Sequence, residues 1–263
     1  MTTLETRTQA EADWATWHEA RERDLATPHG WLTLVAYLDL PSTPSRLADV
    51  PGLWWADADG AHHARDEADV PHATTHVVAE AGSQVVQTYT PQGRSGADAE
   101  VAVELVRRTG RYAVRLRDPR AAALRDFDGV PTFPYDESWV LDVPVRWYDE
   151  PRPAVVGAAR PGLVHHVTLV GEVDLERDGR AATLRLTAGK GGSPALLFTD
   201  EAPGLAPWRI VFAEPSADRT TVRLDLNRAI DLPFAFSDFG TCPAPVEGNH
   251  VPFAVTAGEK APR

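Results

Sequence analysis

Apolar and polar residues alternate along most of this 263-residue chain, and that alternation predicts short β-strands. Two hairpins are the clearest. Arg108-Thr109-Gly110 separates two alternating runs, and Arg177-Asp178-Gly179-Arg180 contains Asp-Gly, a strong turn signal. Gly189–Ser193 is predicted to connect a further pair of strands. After residue 50 the predicted strands are 53–56, 76–80, 84–89, 100–107, 111–117, 138–148, 154–158, 163–176, 181–187, 195–199, 208–213, 220–226 and 253–256.

The N-terminal region has a different period. Thr8 and Glu11 form a capping-box pattern, and Trp14, Trp17 and Leu25 then fall near one helical face. We therefore predict one amphipathic helix over residues 9–26, ending before Pro28 because a residue that precedes proline avoids the α region. Residues 30–40 alternate again and predict a strand, with a short helix as the alternative.

These elements predict a mainly β, antiparallel fold that is barrel-like or built from two sheets, with the N-terminal α-helix packed outside. Glycine and proline, 19 and 22 residues, punctuate the strands at short intervals, and no stretch is long enough for the crossover helices of parallel sheets. We expect a single domain over residues 1–263, with Pro151–Pro153 as the only candidate for a weak division.

Charge and composition disfavour two classes of binding partner. A formal net charge of −12 disfavours nucleic acid and anionic membrane, and no run approaches the roughly 20 apolar residues of a membrane helix. One cysteine rules out an intrachain disulfide, and the N-terminus lacks the basic and apolar regions of a signal peptide. We expect a soluble cytoplasmic protein; its oligomeric state is left open.

The cysteine and the histidines give only weak indications of a catalytic or metal site. Cys242, in Thr-Cys-Pro, is a candidate nucleophile if a base such as His250 lowers its pKa; the alternative is a small buried apolar residue. The histidine pairs, 62–63, 72 with 76, and 165–166, lack the spacing of a metal site, so we assign no metal ligands. A metal-dependent hydrolase stays an alternative function.

Arginines alternate along one predicted strand, where Arg111, Arg115 and Arg117 share a face. On an inner face they could bind a carboxylate or phosphate; on an outer face they would be solvated, which we favour because charges are rarely buried without a partner.

The block 223–260 is the densest part of the chain in Pro, Gly, Asn, Asp and aromatic residues, and its long connection, 229–251, is typical of functional loops. We assign acid/base candidates Asp225 and Glu259, with Cys242 as the third catalytic candidate. The ligand-binding candidates are Arg115, Arg117, Arg209, Arg228 and Lys260 for anions, together with Asn227 and Asn249.

The same block resembles the bacterial family known as domain of unknown function 1684. The resemblance rests on Trp17 to Arg21, Gly30-Trp31-Leu32-Thr33-Leu34, Arg115-Leu116-Arg117-Asp118, Phe198-Thr199-Asp200, Asp225-Leu226-Asn227-Arg228-Ala229, Ala235-Phe236, Cys242-Pro243-Ala244-Pro245, Asn249 and Ala257-Gly258-Glu259-Lys260. It spans about residues 14–260. The family's Asn-Pro-Pro-Cys is Asp231-Leu232-Pro233-Phe234 here, which excludes a two-cysteine mechanism. The resemblance does not indicate an activity, and any cofactor is left open; it implies a site near the C-terminal block.

The function that these observations favour is a pocket for a small, anionic metabolite; whether the chain also catalyses a reaction is left open. The alternatives are a non-catalytic binding or scaffold protein, in which the same residues form a structural polar network, and the metal-dependent hydrolase. A concave polar pocket would favour the first, a filled barrel the second, and three converging His, Asp or Glu side chains the third.

Overall fold

The structure, a computed structural model, describes residues 2–96, 99–189 and 192–262, and side chains from residue 9 onward. Its described part is mainly β with an N-terminal helix, as predicted. Helix α1 spans Thr2–Leu25, so it begins before the predicted capping box and ends one residue before the predicted limit. The predicted connection Gly189–Ser193 contains Lys190 and Gly191, which lie outside the described residues.

Contacts divide the chain into two compact units. Unit 1 contains residues 1–24, 128–236 and 241–263, and unit 2 contains residues 25–127 and 237–240. One continuous strand crosses Pro151–Pro153, so that segment is not a boundary. The prediction of a single domain stays a prediction.

Unit 1 is built on one antiparallel sheet in the order β12-β11-β10-β9-β14-β13-β15. Its strands are β9 Val140–Gly157, β10 Val164–Arg177, β11 Arg180–Ala188, β12 Pro194–Phe198, β13 Arg209–Pro215, β14 Thr221–Asp225 and β15 Ile230–Asp231. Strand β12 also pairs with β13, which closes six of the strands into a ring with β15 attached to β13. Unit 1 is therefore a barrel with one added edge strand.

The barrel is filled by side chains. Alternate residues of β10 and β11, among them Val173, Leu175, Leu184 and Leu186, are buried in one apolar cluster that also contains Phe198. This arrangement follows from the strand period of two, which sends every second side chain to the same face. Burial of this apolar set is the main favourable contribution to folding of unit 1.

Unit 2 contains two four-stranded antiparallel sheets, in the orders β1-β8-β7-β6 and β2-β3-β4-β5. Its strands are β1 Leu34–Asp39, β2 Ser45–Leu47, β3 Val50–Ala56, β4 Ala61–Ala64, β5 Thr74–His76, β6 Ser83–Tyr89, β7 Val101–Arg108 and β8 Arg111–Arg117, and a short helix α2 covers Ala122–Arg125. Residues of both sheets, including Trp54, Val103, Leu105 and Val114, share one core cluster.

Three strand predictions were wrong in detail. The two strands 138–148 and 154–158 are one strand, β9. The strand 76–80 lies mostly outside β5, which ends at His76. The segment 253–256 is not a strand, because side chains replace the neighbouring strand: Asp200 accepts from the Val255 N–H, and Arg209 donates to the Val255 and Ala257 carbonyls. Strands β2, β4 and β15 were not predicted.

No helix in the described part of the chain has both the length and the apolar character that crossing a lipid bilayer requires.

Candidate functional site

Arg209 organises the C-terminal block of unit 1. Its guanidinium is 1% exposed, bonds to Asp200 at 2.7 Å, and donates to the carbonyls of Val255, Ala257 and Glu259 at 3.1, 2.5 and 3.1 Å. A planar guanidinium can bond to several acceptors at once because its N–H groups point in fixed directions. Arg209 therefore holds the last extended segment against β13, and Asp200 binds the same segment through the Val255 N–H.

A left-handed glycine then turns the chain toward β15. Gly258 has φ +78°, and a Cβ at this position would lie 2.5 Å from the Ala229 carbonyl oxygen, so only glycine fits without strain. The next residue, Glu259, donates its N–H to the same Ala229 oxygen at 2.8 Å. The Ala-Gly-Glu-Lys sequence therefore directs the Glu259 side chain into the interior of unit 1, where it is 1% exposed.

Glu259 has two partners in this interior. Its Oε1 accepts from Nε of Arg21, on α1, at 3.2 Å, and its Oε2 accepts from the backbone N–H of Asp231 at 2.7 Å. Arg21 also donates to the Asp231 carbonyl at 2.8 Å. Burial raises the pKa of Glu259, and Arg21 opposes that shift. We name Arg21, Arg209, Asp231 and Glu259 the carboxyl cluster.

Asp231 is the exceptional member of the carboxyl cluster. Its residue is fully buried, and within the described part of the chain neither carboxyl oxygen has a hydrogen-bond partner. Burial, followed by the charge of Glu259, raises the pKa of Asp231 to about 7, against the opposing effect of Arg209 and Arg21. A carboxyl with such a pKa exchanges its proton near neutral pH, which acid/base chemistry requires.

Arg209 lies directly opposite Asp231 in the β13–β15 ladder, so both side chains lie on the same face of the sheet. The Nε of Arg209 is buried and, among the described residues, has no acceptor. When Asp231 holds its proton, the site therefore offers two buried donors, the carboxyl O–H and the Arg209 Nε–H. Oxygen atoms of an anionic group could accept from both.

Of the predicted residues Asp225, Asn227 and Arg228, the first two bond to backbone groups and the third contacts side chains. Asp225 Oδ1 caps a 3-10 turn by accepting from the Asn227 N–H at 3.1 Å. The Asn227 amide bonds to both the N–H and the carbonyl of Asp136, each at 3.0 Å. Arg228 lies 5.3 Å from the Trp17 ring and 3.3 Å from Asp225, without hydrogen-bond geometry at its Nε.

Asn249 also supports the backbone. Its side-chain oxygen accepts from the Arg185 N–H, and its Nδ2 donates to the carbonyls of Arg185 and Leu197, all at 2.9 Å. Strand β11 carries Arg185 and β12 carries Leu197, and the two strands pair directly only at Thr187 and Ala188. Asn249 therefore completes the ladder where the two strands separate.

Replacement of Asn249 by alanine should destabilise unit 1 strongly. Three buried hydrogen bonds are lost, and the unmatched backbone groups cost roughly 1–3 kcal/mol each before relaxation, so we expect a loss of about 2–4 kcal/mol. Urea unfolding measures this loss. Thr183→Ala, which removes an exposed hydroxyl contact with Asp174 from the same strand, is the control and should cost less than about 1 kcal/mol. Equal losses in the two variants would contradict the structural role of Asn249.

The two remaining candidate residues of the block, Cys242 and Lys260, contact other parts of unit 1. Cys242 is buried, and its carbonyl accepts from the Ala159 N–H at 2.9 Å. The base considered for it, His250, bonds to Thr199 at 2.8 Å. Lys260 donates its N–H to the Pro131 carbonyl at 2.7 Å, and its Nζ lies 4.5 Å from the Phe133 ring. A nucleophilic role for Cys242 and an anion-binding role for Lys260 stay predictions.

Arg115 and Arg117 lie in unit 2 and are buried, so the favoured interpretation of a solvated face was wrong for them. Arg117 bonds to Glu104 at 2.9 Å and to the Gly30 carbonyl at 2.8 Å. Arg115 lies 3.8 Å from the same carboxylate, and burial lowers its pKa to about 10. The anion that these arginines hold is Glu104 of their own sheet. Arg111 is exposed.

Within the described residues, no three His, Cys, Asp or Glu side chains converge as a metal site would require. The pair His62 and His63 is engaged in unit 2: His62 bonds to Asp57 at 2.8 Å and to Thr75 at 2.9 Å, and His63 stacks on Trp54. The metal-dependent hydrolase therefore has no candidate ligand set in the described part of the chain.

Reasoning from the sequence missed three members of this region as site residues. Arg21 and Asp200 are the last residues of the motifs Trp17 to Arg21 and Phe198-Thr199-Asp200, so a signal for both existed. Asp231 stands where the resembling family has asparagine, and nothing in its neighbours along the chain indicates its burial.

Comparison with known proteins identifies a family whose profile includes the C-terminal block. No curated protein matches the chain. An uncharacterized protein of Haloarcula marismortui, solved by NMR in solution, is 26% identical over 52% of this chain and 78% of that chain, with a TM-score of 0.43. A family profile matches residues 125–260, more than half of the chain, in a range that includes Arg209, Asp231 and Glu259 but not Arg21. The chain belongs to the family described as "Protein of unknown function (DUF1684)".

Proposed function

We propose that the protein binds a small, anionic molecule at the carboxyl cluster of unit 1, with Asp231 protonated and donating to the ligand. The observation that carries this proposal is the buried Asp231 carboxyl, whose two oxygens have no partner among the described residues. Buried polar groups in folded proteins nearly always have hydrogen-bond partners, and a bound small molecule would supply such a partner to Asp231. Arg209 Nε, opposite Asp231, is the second donor.

Helix α1 packs over the carboxyl cluster through Trp14 and Arg21. Trp14 donates to the Asn227 carbonyl at 2.8 Å, and Arg21 lies above Glu259 and Asp231, so α1 covers the cluster on one side. The Arg21 side chain is 13% exposed, and solvent therefore reaches the edge of the cluster at this residue. A small anion that arrives there meets a guanidinium first, which favours its approach.

The proton on the Asp231 carboxyl also makes this residue the acid/base candidate of the protein. From the sequence, this role was assigned to Asp225 or Glu259. Asp225 is bound to its own turn, whereas Glu259 supports Asp231 through the bond to its backbone N–H. In a reaction, Asp231 would donate or accept the proton and Glu259 with Arg21 would hold its position. We propose this role for a substrate of the same anionic class.

Anion binding should depend on pH. Below about pH 7 the Asp231 carboxyl is neutral and donates; above it, the carboxylate repels an anion. We expect acetate or formate to raise the melting temperature more at about pH 6 than at about pH 8, and Asp231→Asn to remove that pH dependence. Thermal-shift measurement with matched ionic strength in chloride tests this, and native mass spectrometry of the purified protein detects a retained ligand.

The control is Asp142→Asn, which changes an exposed carboxylate of β9 outside the cluster. It should leave the acetate effect and its pH dependence as in the unchanged protein. The proposal is wrong if neither acetate nor formate stabilises the protein relative to chloride, or if Asp231→Leu binds them as well as the unchanged protein does.

A second candidate function, a non-catalytic scaffold, has an observation of its own. The barrel of unit 1 is filled by apolar side chains, and Asn227 and Asn249 use their amides on backbone groups. In that case the carboxyl cluster would serve only to hold α1 on the barrel. Arg21→Ala separates the two candidates: a scaffold loses stability alone, whereas the proposed site also loses its pH-dependent response to acetate.

A further inference from the structure

Unit 2 contains a cavity of about 680 Å³ that lies outside the carboxyl cluster. All of its lining residues belong to unit 2, and they include residues of both of its sheets and of the loop after β6. The volume is in the range of about 300–1,000 Å³ that small-molecule pockets occupy in proteins. No residue that we assigned to a site from the sequence lines this cavity.

The floor of the cavity is the apolar core of unit 2. Val50, Val101 and Leu116 line it and belong to the core cluster, where each is buried. Val35 and Ala36 of β1 add further apolar surface. A ligand that rests on this floor is stabilised because its own apolar surface is removed from water.

Arg94 and Asp118 form an ion pair in the lining of the cavity. Arg94 donates through Nη1 alone to both Asp118 oxygens, at 2.8 and 2.7 Å. In the described part of unit 2, the Nε and Nη2 of Arg94 have no protein acceptor, and the Arg94 side chain is 29% exposed. A guanidinium that retains two neighbouring N–H groups can bind a carboxylate through two parallel hydrogen bonds.

The charges of the lining favour an anion of low charge. Arg94 is the cation of the described lining, and Asp49 and Asp118 are its two carboxylates. Tyr89 donates its hydroxyl to the Asp49 carbonyl, and burial raises the pKa of this phenol, so it adds no negative charge near neutral pH. Because the carboxylates outnumber the guanidinium, a singly charged anion is tolerated better than a phosphate monoester with nearly two charges.

We propose that this cavity, which we name the unit 2 pocket, binds an apolar monocarboxylate, with the carboxylate on Arg94 and the apolar body on Val50, Val101 and Leu116. The proposal is independent of the carboxyl cluster, because its residues lie in the other unit. It differs from that site in ligand as well, since the unit 2 pocket requires an apolar body that acetate and formate lack.

Isothermal titration calorimetry with benzoate and octanoate tests the proposal. We expect saturable binding of at least one of the two, and a loss of affinity of about 10-fold or more in Arg94→Gln, because this change removes the charge-assisted hydrogen bonds to the carboxylate. Benzyl alcohol should bind more weakly than benzoate, and phenyl phosphate should gain nothing from its second charge. Arg46→Gln, an exposed arginine of β2 outside the lining, is the matched control and should bind benzoate normally.

Val35→Phe gives a second test, because it fills the cavity without removal of a charge. It should weaken benzoate and octanoate binding at least as much as Arg94→Gln, and the melting temperature of each variant shows whether it folds. The proposal is overturned if neither carboxylate binds saturably in the millimolar range, if Arg94→Gln and Arg46→Gln bind equally well, or if benzyl alcohol binds as tightly as benzoate.

Discussion

Asp231→Asn should make the protein more stable than the unchanged chain at pH 7 and above, by an amount that grows between about pH 4 and pH 7 and is then constant. The pKa of Asp231 is raised to about 7 in the folded protein from 3.8 for an ordinary aspartate. Between these values the folded protein holds a proton that the unfolded chain releases, so each pH unit costs the folded state about 1.4 kcal/mol. The whole loss, roughly 4 kcal/mol, is complete above about pH 7.

Asparagine cannot ionise, so Asp231→Asn removes this loss and keeps the size of the side chain. We expect the free energy of unfolding of Asp231→Asn minus that of the unchanged protein to rise by about 3 kcal/mol between pH 5 and pH 8. Urea unfolding at these two pH values measures it. Glu259, whose pKa is also raised, is present in both proteins, so its contribution largely cancels in the difference.

The control for this prediction is again Asp142→Asn, at an exposed position of β9, which should leave the pH dependence unchanged. Parallel pH curves for Asp231→Asn and the unchanged protein would mean that Asp231 ionises normally. The interpretation of the carboxyl cluster as a proton-holding site would then be wrong.

Arg209→Leu should have the largest effect of any single substitution of an ion-pair residue in unit 1. The pair of Arg209 with Asp200 is 1% exposed on both sides, and the same guanidinium holds three backbone carbonyls of the C-terminal segment. Removal of one partner of a buried pair leaves an uncompensated charge and costs about 3–5 kcal/mol. We expect a loss of this size in urea unfolding.

A matched comparison is available in the same barrel. Arg180 and Glu201 form an ion pair of the same length, 2.7 Å, but with side chains 51% and 41% exposed. Arg180→Leu should therefore cost less than about 1 kcal/mol. Asp200→Asn in addition to Arg209→Leu should restore part of the stability, because it removes the buried charge that the first change leaves. If Arg209→Leu costs no more than Arg180→Leu, then Arg209 does not organise the block.

Local patterns predicted most of the regular elements. Strand β8 coincides with its predicted range of 111–117, and α1 ends within one residue of its predicted end. Such elements can be predicted because periodicity and turn residues act between neighbours in the chain. The segment 253–256 could not be predicted, since it has the composition of a strand but is satisfied by the side chains of Asp200 and Arg209.

The site was predicted only in part for the same reason. Glu259 and Arg209 were named as candidate site residues, and the structure places both beside Arg21 and Asp231. Their roles in acid/base chemistry and anion binding stay predictions. Asn227 and Asn249 have the same composition signal, yet their amides are used by the backbone. The sequence of a loop-rich block does not show whether a polar side chain joins a site or bonds to the backbone. That distinction requires its hydrogen-bond partners.

By itself, the sequence determined the antiparallel β architecture, the N-terminal helix and the family, because each rests on patterns between residues that are near in the chain. Only the tertiary structure decided which polar groups are satisfied. Arg21 and Glu259 are 238 positions apart, and Asp231 becomes a carboxyl with a raised pKa because distant segments bury it beside Glu259. Burial and charge proximity are properties of space rather than of chain order, and they set the chemistry of this site.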